Sequence, residues 1–330
     1  MDFFAQFWLV MRKIRWKKIA TIGAWLALSL FLFSNVLAAV HAYKFTHFSN
    51  SGVRNERIKL TGLKKLQLLF TGVDNPRPVN TKTPARPYKT IVINSNVKIE
   101  CWYIPADKEA KGTVLLFHGY TGNKSALIER SETFLQQGYN CLLVDFMGSG
   151  GSGGNSTTIG YKEAQEVKDC YDYVKRSVGG NICLYGSSMG AVAIMKAIND
   201  YKIRPAAIII ECPFGTMYET VCARFRALHV PTFPLAAELV FWGGVENDFS
   251  GFSFSPVNYA KTISCPTLLQ YGEKDDRVTR KEIDAIFANL QCPKKLVTYP
   301  LAGHDNSLQK YPDEWGLNVI SFLDSNSISR

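Results

Sequence analysis

From Thr90 onward, short apolar runs alternate with longer amphipathic runs, and this rhythm restricts the possible folds more than any other feature. Eight runs are rich in Val, Ile, Leu and aromatic residues and have the length of strands: 90–95, 98–104, 113–119, 139–146, 181–186, 206–212, 267–272 and 295–300. Helical patterns fill intervals between them: 124–137, 161–177, 189–201, 280–290 and 313–325. After an opening hairpin, the alternation predicts a mainly parallel eight-stranded sheet with helices on both faces, the α/β class.

One interval, from about 215 to 260, interrupts the alternation. It contains helical and aromatic patches but no strand candidate, so it is expected to form a small helical lid above the sheet. The domain that carries this insertion is expected to span residues 89–330, a length that can bury a large core.

The N-terminal region has a different pattern, because the 22 residues Ile19–Val40 contain no charged side chain. As a helix rising ~1.5 Å per residue, they cover ~33 Å, about the thickness of the hydrocarbon core of a bilayer. We therefore expect a basic segment 1–18, a transmembrane anchor 19–42 and a stem 43–88. The basic residues before the run are Arg12, Lys13, Arg15, Lys17 and Lys18. Their position predicts a cytoplasmic N-terminus and an extracytoplasmic domain.

A cleaved signal peptide is the alternative to a retained anchor. The small residue that ends Val40–Ala42 is typical of a signal-peptidase site, and cleavage there would give a secreted protein. The uncharged run is longer than the apolar region of a typical signal, and aromatic residues near the N-terminus resemble interfacial anchors. These two features favour the anchor over the signal. A helix buried in a soluble protein is the third possibility.

The distribution of charge argues against a nucleic-acid-binding protein. The chain carries a net charge of +10, of which +9 belongs to residues 1–66 and only +1 to the remainder. A groove that binds DNA or RNA would concentrate positive charge on the globular part of the chain instead.

The eight cysteines do not indicate a zinc site. They include no C-x-x-C pair and no histidines at metal-binding spacing. Most lie in or beside apolar runs, where a thiol behaves as a small core residue. Eight free thiols would be unusual in an oxidising compartment, which weighs against the extracytoplasmic placement, and the disulfide state stays open at this point.

The glycine-rich stretch "VDFMGSGGSGGN", Val144–Asn155, contains the pattern G-x-G-x-x-G from Gly148. A dinucleotide site with this pattern would also have an acidic residue about twenty positions later, at the end of the next strand. That strand ends at Gly186 and Ser187 instead. We therefore predict no cofactor, and we expect these glycines to pack the loop close to the floor of the site.

The next strand candidate leads into the pentapeptide G-x-S-x-G, centred on Ser188. An apolar strand precedes it and a helix with small residues follows it, as a nucleophile elbow requires. The tight turn leaves no room for Cβ atoms at Gly186 and Gly190, and it exposes the serine at the N-terminus of the helix. In such sheets the reacting groups lie at the carboxyl ends of the strands.

Two later strand candidates end in an acidic loop and in a histidine. "LQYGEKDDRVT" contains Asp275, with Asp276 as the alternative acid, and "PLAGHDNSL" contains His304. Of the other four histidines, His41 and His47 lie beside the predicted membrane segment. His118 lies in the turn at the end of the third strand candidate, and His229 lies in the insertion. His304 is therefore the candidate base.

The order serine, aspartate, histidine is that of an α/β-hydrolase triad, and the sequence from about 87 to 323 resembles this superfamily. Within it, the chain most resembles serine-aminopeptidase-like and lysophospholipase-like hydrolases. The motifs that carry the resemblance are His118–Gly119, the elbow at Ser188, G-x-x-D-x-x-V at Gly272–Val278 and Gly303–His304. One position departs from the family pattern, since Met147 stands where the glycine-rich loop usually has arginine.

The resemblance implies a catalytic role for each of these residues. Ser188 would attack an acyl carbonyl, His304 would act as general base, and Asp275 would orient the imidazole. The family builds its oxyanion hole from two backbone N–H groups, here those of Tyr120 and Met189. No metal and no organic cofactor is implied.

The lid and the anchor together favour an ester with an apolar acyl chain, a small-molecule or lipid substrate. The aromatic residues expected to line its site, or else to pack the lid onto the sheet, are Phe225, Phe233, Phe241 and Trp242. A serine peptidase of the aminopeptidase-like type is the alternative, with Glu219, Glu238 or Glu246 holding the substrate amine. A non-catalytic binding protein on the same fold is a third. No obligate protein partner is evident.

Overall fold

The computed structural model describes residues 2–49, 67–68, 70–227 and 229–326. These residues form a main sheet of eight strands. The strands are β1 (Lys89–Asn94), β2 (Lys98–Ile104), β3 (Thr113–Phe117), β4 (Asn140–Val144), β5 (Ile182–Ser187), β6 (Ala207–Glu211), β7 (Thr267–Gly272) and β8 (Lys294–Tyr299). Each lies at a predicted strand position.

The strand order across the sheet is β1-β2-β4-β3-β5-β6-β7-β8. β1 and β2 form an antiparallel hairpin, β2 pairs antiparallel with β4, and all other pairs are parallel. The prediction of a mainly parallel sheet after an opening hairpin is confirmed. Because β3, β5, β7 and β8 run in the same direction, the loops after their carboxyl ends lie along one edge.

Ten helices lie wholly within the described residues. They are α1 (Asp2–Thr46), α2 (Ile128–Gln136), α3 (Glu163–Ser177), α4 (Met189–Tyr201), α5 (Met217–Ala227), α6 (Leu235–Glu246), α7 (Pro256–Tyr259), α8 (Arg280–Asn289), α9 (Ser307–Lys310) and α10 (Pro312–Ser325). Single 3₁₀ turns occur at Lys124–Leu127, Gly251–Ser253 and Ala260–Thr262. Helices α5, α6 and α7 form the predicted lid, in which the described residues contain no strand.

Alternate residues of the central strands supply the core on the two faces of the sheet. In β3, Leu115 and Phe117 belong to one apolar cluster, while Val114 and Leu116 belong to the other. All four are fully buried, since successive strand side chains point to opposite faces and helices cover both. This arrangement explains why the strand candidates are apolar throughout instead of alternating.

Helix α1 is the one helix among the described residues that is long and apolar enough to cross a membrane, over Gln6–Thr46. It ends at Thr46, beyond residue 42 where the anchor was predicted to end, so its last turn occupies the start of the predicted stem. From Ser34 onward it packs on the lid: Ser34 donates to Glu238 at 3.0 Å, and Trp242 donates to Asn35 at 3.0 Å. Residues 50–66 of the predicted stem lie outside the described residues.

A buried ion pair lies beneath the glycine-rich loop that follows β4. The side chains of Asp145 and Lys124 are both fully buried, and the Lys124 ammonium bonds to Asp145 and, at 2.7 Å, to Glu100. Gly151 N–H also donates to Asp145, at 2.9 Å. A Cβ at Gly150, where φ is +49°, would lie 1.9 Å from the Asp145 carboxylate. The glycines therefore let the loop close over this pair.

Lys124 supplies the positive charge that the loop lacks at Met147. Burial alone would raise the pKa of Asp145, but the charge of Lys124 and the hydrogen bonds from Lys124 and Asn80 outweigh it and lower that pKa. The carboxylate therefore stays ionised although it is buried. Sequence reasoning missed Lys124, because it lies 21 residues before Asp145 in a different loop.

We expect Asp145→Asn to lower the free energy of unfolding by up to about 3–5 kcal/mol, because it leaves the buried Lys124 ammonium with only the partly exposed Glu100 carboxylate as counter-charge. Urea unfolding of the detergent-solubilised chain, followed by tryptophan fluorescence, measures the change. Asp107→Asn is the control, since the Asp107 side chain is 74% exposed in its pair with Arg86; this change should cost below about 1 kcal/mol. Equal losses in the two variants would contradict the structural role of the buried pair.

Candidate active site

Ser188 occupies a sharp turn between β5 and α4. Its backbone has φ +49° and ψ −111°, an unusual conformation for a residue with a Cβ. A Cβ at Gly186 would lie 2.6 Å from the Ala191 nitrogen, and one at Gly190 would lie 2.4 Å from the Phe117 carbonyl oxygen. The two glycines therefore let α4 start close to the sheet and hold Ser188 at the strand edge.

His304 connects Ser188 to Asp275 in a continuous chain of hydrogen bonds. Its Nε2 lies 2.8 Å from Ser188 Oγ, and its Nδ1 lies 2.7 Å from Asp275 Oδ2. The side chains of His304 and Asp275 are 6% and 0% exposed. With Nδ1–H donating to the carboxylate, Nε2 is the acceptor for the serine hydroxyl. The three residues come from loops that are 29 to 116 positions apart in the chain.

The Asp275 carboxylate is held in its ionised form. Burial opposes ionisation, but the hydrogen bond and charge of His304, together with two backbone N–H donors, lower the pKa of Asp275. Those donors are Val278 at 3.0 Å and Arg277 at 2.8 Å, both to Oδ1. Asp276, the alternative acid, is exposed and lines an outer cleft, so the structure brings Asp275 and not Asp276 to the imidazole.

The loop after β3 and the first turn of α4 place Tyr120 and Met189 beside Ser188. Met189 is the first residue of α4, so its N–H has no partner within the helix. His118 holds the loop, since its Nε2 accepts from Phe146 N–H at 3.1 Å and its Nδ1 bonds to the Gly119 carbonyl at 2.8 Å. Burial lowers the pKa of His118, so the ring is neutral and donates through Nδ1.

The Tyr120 side chain joins this loop to the end of helix α1. Its hydroxyl donates to the Phe45 carbonyl at 2.7 Å, and the two rings stack with centroids 4.7 Å apart. The Arg224 guanidinium of the lid lies over the Phe45 ring, 4.1 Å from its centroid. Neither Phe45 nor Arg224 has a signal in the sequence that could have identified it, because both contacts depend on packing between distant segments.

A cavity of about 340 Å³ opens above Ser188. Ser188, His304, Tyr120 and residues of the lid line it. The arginines and the carboxylate that line it are Arg130, Arg224, Arg277 and Asp305, so three of these four side chains are cationic.

A second, smaller cavity of about 90 Å³ lies between α1, the lid helices and Ile159. It shares Ile159, Thr220 and Arg224 with the cavity above Ser188, so the two adjoin. Its walls are mostly apolar: Ala42 and Phe45 of α1, Met217 and Val221 of α5, and Leu239 and Val240 of α6. The end of α1 is thus one wall of the space next to the serine.

The described residues that line these two cavities include none of the four lid aromatics predicted from the sequence. Phe233 and Phe241 are 78% and 51% exposed, respectively. Trp242 donates to Asn35 of α1, and Phe225 packs against the core from a half-buried position. A helical lid turns only part of its surface toward the sheet, and aromatic content alone does not show which part that is.

Cys212 is the one other residue with a ligand-type atom close to the Asp275–His304 pair in the part of the chain described. The ligating atoms of the three residues all lie within 4.8 Å of one another. Burial and the neighbouring Asp275 charge raise the pKa of the Cys212 thiol well above its usual range, so it remains protonated. His304 Nδ1 is bonded to Asp275 at 2.7 Å, so the group has the geometry of an acid–base pair with a buried neighbour.

The overall architecture is that of a solved esterase. The chain is similar to the Pyrococcus furiosus esterase Pf2001, with 28% identity and a TM-score of 0.64 over 76% of this chain and 96% of that one. The chain is an α/β-hydrolase. A family profile described as serine aminopeptidase, S33, matches residues 108–248 of this hydrolase, a segment that contains Ser188 and the start of the lid.

Two curated relatives extend the similarity. The uncharacterized protein YqkD of Bacillus subtilis is 26% identical over 227 residues, which are 68% of this chain and 74% of that protein. The lysophosphatidylserine lipase ABHD12 of Macaca fascicularis is 25% identical over 188 residues, 55% of this chain. The hydrolase spans only 46% of that lipase.

We expect Asp275→Asn to lower kcat about 10⁴-fold, because an amide stabilises the wrong imidazole tautomer, as in a serine-protease triad. Asp276→Asn is the matched control, since the exposed neighbour makes no contact with His304 and its loss should change kcat little. Steady-state hydrolysis of a p-nitrophenyl ester by the detergent-solubilised chain measures both. A larger loss with Asp276→Asn would show that the acid had been assigned one residue too early.

Proposed function

We propose that this hydrolase is a serine esterase that cleaves carboxylic esters with an apolar acyl group through an acyl-enzyme. The observation that carries the proposal is the hydrogen-bonded chain from Ser188 through His304 to Asp275 at the floor of an open cavity. The adjoining apolar cavity gives an acyl chain a place next to the nucleophile.

The proposed reaction follows from the position of each proton. Ser188 Oγ attacks the acyl carbonyl while His304 Nε2 takes its proton, and Asp275 stabilises the resulting imidazolium. The imidazolium then gives the proton to the leaving alcohol, which leaves the acyl group on Ser188. Water attacks this acyl-enzyme with the same histidine as base, and the acid is released.

The oxyanion of each tetrahedral intermediate requires donors that are already in place. We assign this role to the backbone N–H groups of Met189 and Tyr120. Met189 lies at the positive end of the α4 dipole. The Tyr120 loop is fixed by the neutral His118 ring and by the contact between the Tyr120 hydroxyl and Phe45.

The charges of the site favour an ester over the amine-bearing substrate of an aminopeptidase. The described residues that line the cavity above Ser188 include none of the three glutamates that could bind an amine. Glu219 pairs with Arg226 at 3.5 Å, and Glu238 accepts from Ser34. Burial raises the pKa of Glu246 to about 7, so it is a weak counter-charge at neutral pH. The arginines in the cavity would repel a cationic amine.

The names of similar proteins support the same class of substrate. One solved neighbour is an esterase, and a curated relative is a lysophosphatidylserine lipase. In this chain, a helix that is apolar enough to cross a membrane leads directly into the wall of the apolar cavity. A lipid ester is therefore the substrate class that fits both the site and its position.

We also propose that α1 is retained as a membrane anchor, with the hydrolase domain on the extracytoplasmic side. The possible cleavage site at Val40–Ala42 lies inside the helix, and Ala42 is 3% exposed against the lid. Cleavage there would remove Ser34 and Asn35, which bond to the lid helix. Of the predicted anchor, residues 19–33 remain exposed and carry no charge; as a helix they cover ~22 Å, and the long side chains of Lys17 and Lys18 just before them can reach the headgroup region.

Replacing Ser188 by alanine tests the nucleophile. We expect Ser188→Ala to abolish covalent labelling by a fluorophosphonate and to reduce ester hydrolysis to the residual rate that binding and the oxyanion hole supply, about 10³–10⁴-fold over water. Labelling is read by in-gel fluorescence and hydrolysis by release of p-nitrophenol.

Ser187→Ala is the control, because Ser187 is the preceding residue in the same turn and has the same side chain. It should keep its labelling and lose less than about tenfold in rate. Both variants should stay folded, since neither change opens a large cavity. Equal labelling of the wild type and Ser188→Ala would rule out the proposed mechanism.

Cysteine accessibility tests the proposed topology. Asp74→Cys, at a side chain that is 65% exposed, should react with a membrane-impermeant maleimide on intact cells, whereas Lys18→Cys should be protected until the cells are lysed. The wild-type chain measures the background from its eight free thiols. The opposite pattern would invert the topology, and a mature chain that begins after Ala42 by mass spectrometry would show a cleaved signal.

A further inference from the structure

We infer that Arg224 and Arg277 form a binding site for an anionic group, a phosphate or a carboxylate, on the alcohol part of the ester substrate. The inference rests on the proposed ester hydrolysis and names a specificity for it. Both residues line the cavity above Ser188, and both also line a cleft of about 820 Å³ that continues outward from it.

The two arginines differ from other arginines nearby in having no carboxylate partner. Arg130, in the same cavity, pairs with Glu211 at 3.1 Å, and Arg226, two residues after Arg224, pairs with Glu219 at 3.5 Å. Among the described residues, no carboxylate oxygen lies within 4.0 Å of a nitrogen of the Arg224 or Arg277 guanidinium. Asp276 and Asp305 line the same cleft without pairing with either.

Arg224 is held at the junction of all three cavities. Its guanidinium lies 4.1 Å from the centroid of the Phe45 ring and 5.4 Å from that of Tyr120. Stacking on aromatic faces fixes the plane of a guanidinium while its N–H groups stay available for an acceptor. The contacts therefore orient a charged fork beside the loop that supplies one proposed oxyanion donor.

A bound anion would stabilise the charged form of Arg224. Burial and the like charge of Arg277 lower the pKa of Arg224 to about 10. The side chain is therefore charged at neutral pH, although its surroundings destabilise that charge. An anion between the two guanidiniums would counter both effects. Guanidinium groups bind phosphate and carboxylate with two parallel hydrogen bonds, a geometry that lysine does not offer.

The position of the site decides which part of the substrate carries the anion. The apolar cavity between α1 and the lid is the place for the acyl chain, and Arg224 stands where that cavity meets the one above Ser188. Arg277 follows the acidic loop, and its backbone N–H donates to Asp275 at 2.8 Å. The outer cleft beyond these arginines remains for the alcohol, so the negative charge belongs to the leaving group.

The test compares esters that share one acyl chain and differ only in the charge of the alcohol. The probes are 1-acylglycerol, 1-acylglycerol 3-phosphate and the corresponding acyl ester of glyceric acid. We expect Arg224→Ala to lower kcat/KM roughly 10- to 100-fold for the anionic ester that the site accepts, the loss for a charged hydrogen-bonded contact. Hydrolysis of the neutral ester should change less than twofold. Comparing the phosphate with the carboxylate identifies the anion.

Three variants separate anion binding from a structural role of the stacked arginine. Arg226→Ala, on the same helix, should leave all three rates unchanged, and Arg277→Ala should show the same selective loss as Arg224→Ala. Arg224→Lys should recover part of the rate on the anionic ester, because it keeps the charge but not the fork. Parallel losses on neutral and anionic esters in Arg224→Ala would overturn the inference and indicate a packing role.

A binding measurement keeps the inference separate from the proposed reaction. Glycerol 3-phosphate and glycerate are tested as protectors of wild-type Ser188 against the fluorophosphonate, with glycerol as the neutral control. Protection by an anion supports the site if that protection is lost in Arg224→Ala, whether or not any acylglycerol is cleaved. Failure to cleave acylglycerols would then count only against the proposed ester substrate. Absence of protection together with no preference for anionic esters refutes the site.

Discussion

The candidate active site at the edge of the sheet depends on how closely helix α4 approaches strands β3 and β5. At Gly190 a Cβ would lie 2.4 Å from the Phe117 carbonyl oxygen, a distance that no side chain can occupy. A larger residue would push α4 away from the sheet and carry Ser188 away from His304, whose Nε2 lies 2.8 Å from the serine oxygen. The strained turn at Ser188 persists because packing on both sides leaves it no alternative.

The N-terminal helix belongs to the architecture of the site as well as to the proposed membrane attachment. Its last turns form a wall of the apolar cavity, and the Phe45 carbonyl accepts the hydroxyl of Tyr120. The Phe45 ring also stacks with Tyr120 and with the guanidinium of Arg224. A single residue at the end of α1 therefore contacts both the loop after β3 and the lid.

Local pattern predicted the elements, and it selected three residues that the structure brings together at the strand ends. All eight strands occur where apolar runs predicted them, and the order of the motifs around Ser188, Asp275 and His304 indicated which residues the sheet would bring together. Residue type does not separate Asp275 from Asp276, since the two are adjacent and chemically identical. In the structure, the backbone N–H groups of Arg277 and Val278 donate to the Asp275 carboxylate. The Asp276 side chain is exposed to solvent.

What the sequence determined by itself is the α/β layering and the residue types at the strand ends, because both arise from short-range periodicity and from turns that few residues tolerate. The tertiary structure alone decided that Lys124 neutralises Asp145, that the four lid aromatics do not line the cavity above Ser188, and that Arg224 lines this cavity beside Phe45. Each of these is a contact between segments far apart in the chain. Such contacts leave no periodic trace, since only the packing of the whole domain sets the distance between the partners.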